Sequence, residues 1–268
     1  MTQLKDYSGR NVLITGASSG IGRLLALDMA AKGARVALVA RRQDELEGVA
    51  EEIRAGGGNP LALVCDVGDR DQALSTAVRA VEEFGSIDVL VNNAGFGRHR
   101  RFLDWDLEDM ERMMRVNYLG SLYFTKALLP AMVEGGRGWL VFIASVAGRV
   151  APADETAYAA SKFAIVGLAS SLSLEVEDAG VHVLTVCPGA IRTPFFDDEA
   201  LARLPAVARR QMAEPEGLVK AIMDALARGR RELTYPRWIA SGYVAQALAP
   251  GFTRSHVKKQ TLIELDED

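Results

Sequence analysis

Tyr158 and Lys162 stand four residues apart in the stretch Tyr158-Ala159-Ala160-Ser161-Lys162. On a helix this spacing puts both side chains on one face, one turn apart. A phenol beside a fixed ammonium makes a proton donor and acceptor suited to an alcohol or ketone oxygen. The positive charge favours phenolate and is expected to draw the tyrosine pKa below its ordinary value of about 10. Such pairs also arise by chance on helices, so the surroundings must decide. Upstream, Ser145 closes the apolar run Trp139-Leu140-Val141-Phe142-Ile143-Ala144, which reads as a buried strand. Asp154-Glu155-Thr156 before an alanine-rich segment reads as a helix start. A strand end and a helix start therefore deliver hydroxyl, phenol and ammonium together.

A second constellation lies near the N-terminus. The strand Asn11–Thr15 runs into Gly16-Ala17-Ser18-Ser19-Gly20-Ile21-Gly22 and then an apolar-faced helix from Leu24 to Ala31. Glycines in such a turn let the backbone approach a ligand, and the helix start offers free N–H groups and a positive dipole end. Pyrophosphate fits that chemistry. The next strand, Ala34 to Val39, is followed by Ala40-Arg41-Arg42. In dinucleotide folds an acid at this point binds the ribose of NAD, whereas an arginine accommodates the extra phosphate of NADP. No acid stands there before Arg41, so the charge favours NADP; solvated loop arginines are the alternative.

The remaining elements alternate. A helix from Glu45 to Ala55 precedes the strand Leu61–Cys65 and Asp66. Asp69 can cap a helix reaching Phe84, and the strand Ile87–Val91 leads to Asn92-Asn93-Ala94-Gly95. This β-α-β pattern with short links predicts a parallel sheet covered on both faces, with ligands at the carboxyl ends of the strands. Trp105 to about Met132 reads as one long amphipathic helix containing Asn117. The helix from Tyr158 to about Glu177 has Ala, Ser and Gly on one side. Either could serve subunit contact or core packing. Val181–Val186 and Glu232–Tyr235 read as further strands. Phe195 to Met212 reads as a helical lid, and Glu216 to Arg228 as a helix.

The whole chain, 1–268, is expected to form one domain with a C-terminal extension at about 237–268. That extension runs from an apolar stretch, Trp238 to Phe252, through Arg254–Lys259 to an acidic end, Glu264–Asp268. It would cover a pocket, join a subunit contact or touch a membrane surface; packing is favoured, because apolar stripes at helical spacing are usually buried. The basic cluster Arg98-His99-Arg100-Arg101 reads as a solvated loop or a contact for an acidic substrate or carrier.

Composition is that of a soluble protein: 268 residues, 49% hydrophobic, 25% charged, net charge −4. No basic aromatic stripe marks a nucleic-acid partner. His99, His182 and His256 lack ligand-like spacing, so no metal site is expected. Cys65 and Cys187 read as buried thiols of a reducing compartment. The polar segment Met1–Arg10 lacks a signal-peptide core, and no apolar run reaches the length of a membrane span, so the expected location is cytoplasmic.

The ordered set Thr15-Gly-Ala-Ser-Ser-Gly-Ile-Gly22, Asp66-Val67, Asn92-Asn-Ala-Gly95, Asn117, Ser145, Tyr158-x-x-x-Lys162 and Pro188-Gly189 resembles the short-chain dehydrogenase/reductase family over residues 8 to 236. The resemblance implies a Rossmann-like doubly wound, mainly parallel seven-stranded sheet with helices on both faces, and a homodimer or homotetramer. It implies that Tyr158 exchanges the proton, Ser145 bonds the substrate oxygen, Lys162 binds the nicotinamide ribose and lowers the Tyr158 pKa, and Asn117 holds a water. For the cofactor it implies Gly16, Ser18, Ser19, Gly20, Ile21 and Gly22 around pyrophosphate and ribose, and Arg41 as NADP-selecting. Asp66 and Val67 would flank adenine, with Asn93, Ala94 and Gly95 along the cofactor. Pro188, Gly189, Ile191 and Thr193 would cover the nicotinamide. The expected activity is NADP(H)-dependent interconversion of a carbonyl and a secondary alcohol on a lipophilic substrate, a 3-oxoacyl thioester included. The alternatives are an NAD-dependent alcohol dehydrogenase and a non-catalytic nucleotide-binding regulator.

Overall fold

The computed structural model describes residues 3–196, 198–204 and 206–262. The strands are β1 (Asn11–Thr15), β2 (Arg35–Ala40), β3 (Pro60–Val64), β4 (Val89–Asn92), β5 (Gly138–Ile143), β6 (Val181–Pro188) and β7 (Glu232–Tyr235). They form one seven-stranded sheet in the order β3-β2-β1-β4-β5-β6-β7. Every neighbouring pair is parallel. Strands β1, β4, β5 and β6 are buried at every position. A parallel sheet covered on both faces requires this, which is why these segments are near-continuous apolar runs.

The two-residue period of the strands separates two cores. Val12, Ile14, Val36, Leu38, Val141 and Ile143 face one side, packed against α1 (Gly20–Ala31), α2 (Gln43–Ala55) and α9 (Pro215–Ala227). Leu13, Ala37, Val39, Leu90, Leu140 and Phe142 face the other, against α3 (Arg70–Phe84), α5 (Gly120–Glu134) and α6 (Thr156–Val176). Helix α3 begins where expected: the Asp69 carboxylate accepts from the amides of Asp71 and Gln72, each at 3.0 Å. The strand order reverses between β1 and β4, and that switch point opens the crevice where ligands of such sheets bind.

Two expectations need adjustment. The long helix expected from Trp105 to about Met132 runs unbroken from Leu107 to Glu134 as α4 (Leu107–Met114), a π-helical turn (Arg115–Leu119) and α5, so it starts two residues later and widens in its middle. Trp105 lies ahead of α4, where its indole N–H donates to the Arg100 carbonyl at 3.0 Å. Asn117 sits in the π turn, a local widening that often accompanies a functional position. The basic cluster is not a freely solvated loop either. Arg98 and Arg100 converge on the Asp109 carboxylate at 3.1 and 3.8 Å.

After β6 come the short helices α7 (Asp198–Arg203) and α8 (Ala206–Arg210), so the Phe195–Met212 segment is helical as expected. The segment is pinned at both ends, because Arg192 N donates to Ala213 O and Ala213 N to Ala190 O, at 2.9 and 3.0 Å. The C-terminal stretch folds as a 3-10 turn (Arg237–Ile239), α10 (Ala240–Leu248) and α11 (Pro250–Leu262). The acidic end Glu264–Asp268 lies outside the described residues. Helix α6 is long and apolar enough to cross a membrane, but it packs on β6 as a core helix.

Candidate active site

Ser145 follows β5 and Tyr158 lies in the first turn of α6, so sheet and helix bring the two hydroxyls together. Ser145 Oγ accepts from the amide of Ala147 at 3.1 Å, which leaves its own O–H free to donate. Lys162 is buried. Its Nζ donates to the carbonyl of Ile143 at 2.9 Å and lies 5.6 Å from the centre of the Tyr158 ring. Asn117 is buried too, with its side chain fully engaged. Oδ1 accepts from Phe96 N, and Nδ2 donates to Phe96 O and to Ser161 Oγ, all at 2.9 Å. Asn117 thus joins the π turn, the loop after β4 and α6.

The electrostatics depart from the expected direction. Burial pushes the Tyr158 phenol up; the Ser145 hydroxyl opposes this, and Glu155 and Cys187 add to it. Burial also pushes the Lys162 ammonium down, to about 8, against the opposite pull of Cys187. Desolvation disfavours both charged forms at once, and Lys162 is drawn to Ile143 rather than to the phenolic oxygen. Tyr158 therefore stands as a protonated acid at neutral pH.

The glycine turn lies across the crevice from Thr193. Gly16 has φ +67°, and a Cβ there would lie 2.9 Å from Ala94 Cα. A Cβ on Gly22 would lie 2.3 Å from Gly16 O, so Gly22 serves close packing beneath the turn rather than ligand contact. Asn93 holds the turn from β4, donating from Nδ2 to Thr15 O and Gly16 O at 2.9 and 3.1 Å. Thr15 Oγ1 returns the link, accepting from the amides of Asn93 and Ala94 at 3.0 and 3.1 Å. At the start of α1 Ser19 makes no side-chain cap, so the first-turn amides keep their donors available.

A crevice of about 270 Å³ runs over this turn and is lined by Ser18, Ser19, Gly20, Ile21, Ala40 and Arg41, with Asp66, Val67, Ala94 and Gly95 further along it. Arg42 also lines it, donating to Ser18 Oγ and Ser19 Oγ at 3.3 and 3.2 Å. Ile21, Asn93, Gly95, Thr193 and Phe195 also border a second cavity of about 480 Å³. That cavity contains Ser145, Tyr158 and Lys162, and Pro188, Gly189 and Ile191 form part of its wall. The geometry fits a dinucleotide: a tight turn with no room for a side chain at Gly16 or Gly22, available helix-start amides, two arginines at the far end and hydroxyls at the near end.

The family model of the short chain dehydrogenases matches residues 10–203. The chain belongs to this family. An oxidoreductase of Salmonella typhimurium, UcpA, is 43% identical over 197 residues, covering 73% of this chain and 74% of its own. Epidermal retinol dehydrogenase 2 of Mus musculus is 36% identical over 241 residues, covering 88% and 76%. A short-chain dehydrogenase/reductase from Burkholderia phymatum, solved in complex with NAD, superposes with a TM-score of 0.83 at 25% identity, covering 91% and 95%.

Beyond the short-chain dehydrogenase motif residues, the structure adds a wall of the larger cavity that sequence reasoning left unresolved. Phe195 leans on Tyr158 with ring centres 5.8 Å apart, and Phe196 stacks on His99 at 6.5 Å. Trp238, Ile239 and Tyr243 of the C-terminal stretch line the cavity. Val244, Leu248 and Phe252 on the same stretch stay exposed. His99 and Glu155 line the cavity as well, yet in the sequence they read as a basic loop and a helix start. No spacing rule pairs them, because loop and helix meet only in three dimensions.

Proposed function

We propose that this protein is an NADP(H)-dependent oxidoreductase that interconverts a lipophilic ketone and a secondary alcohol, with Tyr158 as the acid/base. One observation carries the reading. Ser145, Tyr158 and Lys162 meet where a nucleotide-shaped crevice opens into a largely apolar cavity of about 480 Å³. A relative named for retinol supports a lipophilic substrate.

NADP(H), when bound, supplies or takes up the hydride at the substrate carbon. Ser18, Ser19 and the first-turn amides of α1 would hold its pyrophosphate, and Arg41 with Arg42 its extra phosphate. Asp66 and Val67 would flank the adenine, and Lys162 would hold the nicotinamide ribose. In reduction Tyr158 donates its proton to the substrate oxygen while the Ser145 hydroxyl bonds that same oxygen. Burial keeps the Tyr158 proton in place, and the Ser145 hydroxyl pulls the other way, towards the stronger acid that donation favours. The Asn117 side chain is engaged by Phe96 and Ser161, so its part is to hold the loop after β4 against α6.

NADP is favoured over NAD by the two arginines and by the absence of an acid at Ala40; Asp66 turns its Oδ1 back to Gly68 N at 3.0 Å. An NAD-dependent alcohol dehydrogenase is the second reading, supported by the neighbour solved with NAD. Titration of the protein with NADPH and NADH, followed by nicotinamide fluorescence, separates them. Arg41→Ala should weaken NADPH binding by about tenfold, the scale of a lost charge-assisted contact, and leave NADH unchanged. Equal weakening of both would refute the NADP reading.

We also place the protein in the cytoplasm, in keeping with two free buried thiols. A homodimer or homotetramer through the exposed small and apolar stripe of α6, with Phe163 and Leu174 in it, completes the proposal, and sedimentation velocity reads the state directly.

A further inference from the structure

The substrate cavity holds a polar pair that hydride transfer does not use. His99 Nδ1 and Glu155 Oε1 are 3.4 Å apart, with side chains only 7% and 15% exposed. Both line the cavity. The backbone fixes their approach, since Arg100 N donates to Asp154 O at 2.9 Å and ties the His99 loop to the start of α6. Glu155 occupies the N-cap of α6, yet its carboxyl makes no capping bond. The side chains that cap from this position are the short ones, Ser, Thr, Asp and Asn, and the longer Glu155 side chain is not among them. Here it is turned to His99 and the cavity instead.

The covering residues couple the pair to the reaction centre. Phe195 and Phe196, adjacent in the chain, lie over Tyr158 and His99 respectively. Glu155 and Tyr158 are three residues apart on one helix, a spacing that makes them neighbours on its surface. Burial, reinforced by Asp154, pushes the Glu155 carboxyl up to about 8, so it is largely neutral at pH 7. The Glu155 carboxyl and the His99 imidazole, paired at the cavity wall, are groups able to donate and to accept hydrogen bonds. That matches a hydroxyl group, which both donates and accepts. A charged ligand group would need a counter-charge in this apolar setting.

We propose that His99 and Glu155 form a second polar anchor that binds a hydroxyl of the substrate while Ser145 and Tyr158 hold the reacting oxygen. The substrate class is then a lipophilic hydroxyketone in reduction, or the corresponding diol in oxidation. The inference rests on the carbonyl–alcohol reading above.

The test compares 2-decanone with 1-hydroxy-2-decanone and 4-hydroxy-2-decanone. Turnover is measured as kcat/KM with NADPH and with NADH. Binding is measured by calorimetry on the protein saturated with oxidised cofactor. At least one hydroxyketone should exceed 2-decanone by about tenfold in either readout, the scale of a buried hydrogen bond matched to its partner. That ratio should fall to about one in Glu155→Leu and His99→Leu, whatever their overall activity, and largely return in Glu155→Gln. A wild-type ratio near one, or a ratio that survives both leucine substitutions, overturns the anchor. The wild-type measurement decides even where a leucine variant fails to fold. Turnover without preference defeats the anchor alone. Calorimetric preference without turnover upholds the anchor and defeats the reductase reading. Neither turnover nor preference defeats both.

Discussion

Burial favours the protonated phenol of Tyr158, the form that the proposed proton donation in reduction requires. Tyr158→Phe removes the proton without changing the shape of the site. It should lower kcat by roughly 10²–10⁴-fold while leaving the cofactor titration unchanged, since general acid catalysis contributes on that scale. Glu155 gives a second residue-level expectation, in pH-dependent stability. Its carboxyl binds a proton up to about pH 8 in the folded chain, against an ordinary value of 4.5. Between those values the folded state holds more protons than the unfolded, so stability falls as pH rises through that window. Glu155→Gln cannot titrate. Urea midpoints at pH 5 and pH 8 should therefore show the wild type losing ground to the variant at the higher pH. An identical pH dependence in both proteins would exclude the assigned shift.

At the scale of elements, three junctions build the site. The turn from β1 into α1 is closed by contact between Gly16 and Gly22 and braced by Asn93 from β4. Gly22→Ala would set a methyl 2.3 Å from Gly16 O and 2.5 Å from Asn93 Nδ2. The turn must shift, at a cost of about 1–3 kcal/mol, typical of overpacking. A lower melting temperature together with weaker binding of both NADPH and NADH should result; loss of stability alone would mean that the turn does not touch the cofactor. The π turn is the second junction. It places Asn117 where one amide reaches both the β4 loop and α6, so it holds Tyr158's helix against the crevice. The third is the β6 exit, where Thr193 meets Gly20 and the pinned segment carries Phe195 and Phe196 over the polar groups.

For the molecule as a whole, the candidate nucleotide crevice and the proposed substrate cavity are built by different parts of the chain. The crevice belongs to the sheet, whereas much of the cavity wall belongs to residues after β7. Helix α10 buries none of its residues, and Trp238, Val244, Leu248 and Phe252 remain exposed, so the C-terminal stretch contributes little to the core. Ending the chain after Pro236 should leave the fold and cofactor binding in place. KM for a lipophilic ketone should rise by about tenfold or more, as apolar contact is lost. Circular dichroism, cofactor titration and kinetics on the shortened chain check the three parts separately. Loss of cofactor binding would show that the stretch supports the crevice as well.

The sequence by itself determined the sheet and the candidate reaction centre. Buried parallel strands must be apolar throughout, short links force the crossovers, and the glycine turn and Tyr158-x-x-x-Lys162 are local in the chain, so spacing alone reveals them. It also exposed Arg41, because charge at a strand end is a local fact. The tertiary structure decided what depends on distant segments meeting. The direction of the Tyr158 pKa followed from burial, which a list of neighbours in sequence does not contain. The engagement of Asn117 and Asn93 in holding loops, the pairing of Arg98 and Arg100 with Asp109, and the use of the C-terminal stretch as a wall all needed the folded chain. His99 and Glu155 are the clearest case: a loop residue and a helix cap far apart in the chain become one buried pair only when the β4 loop packs on α6.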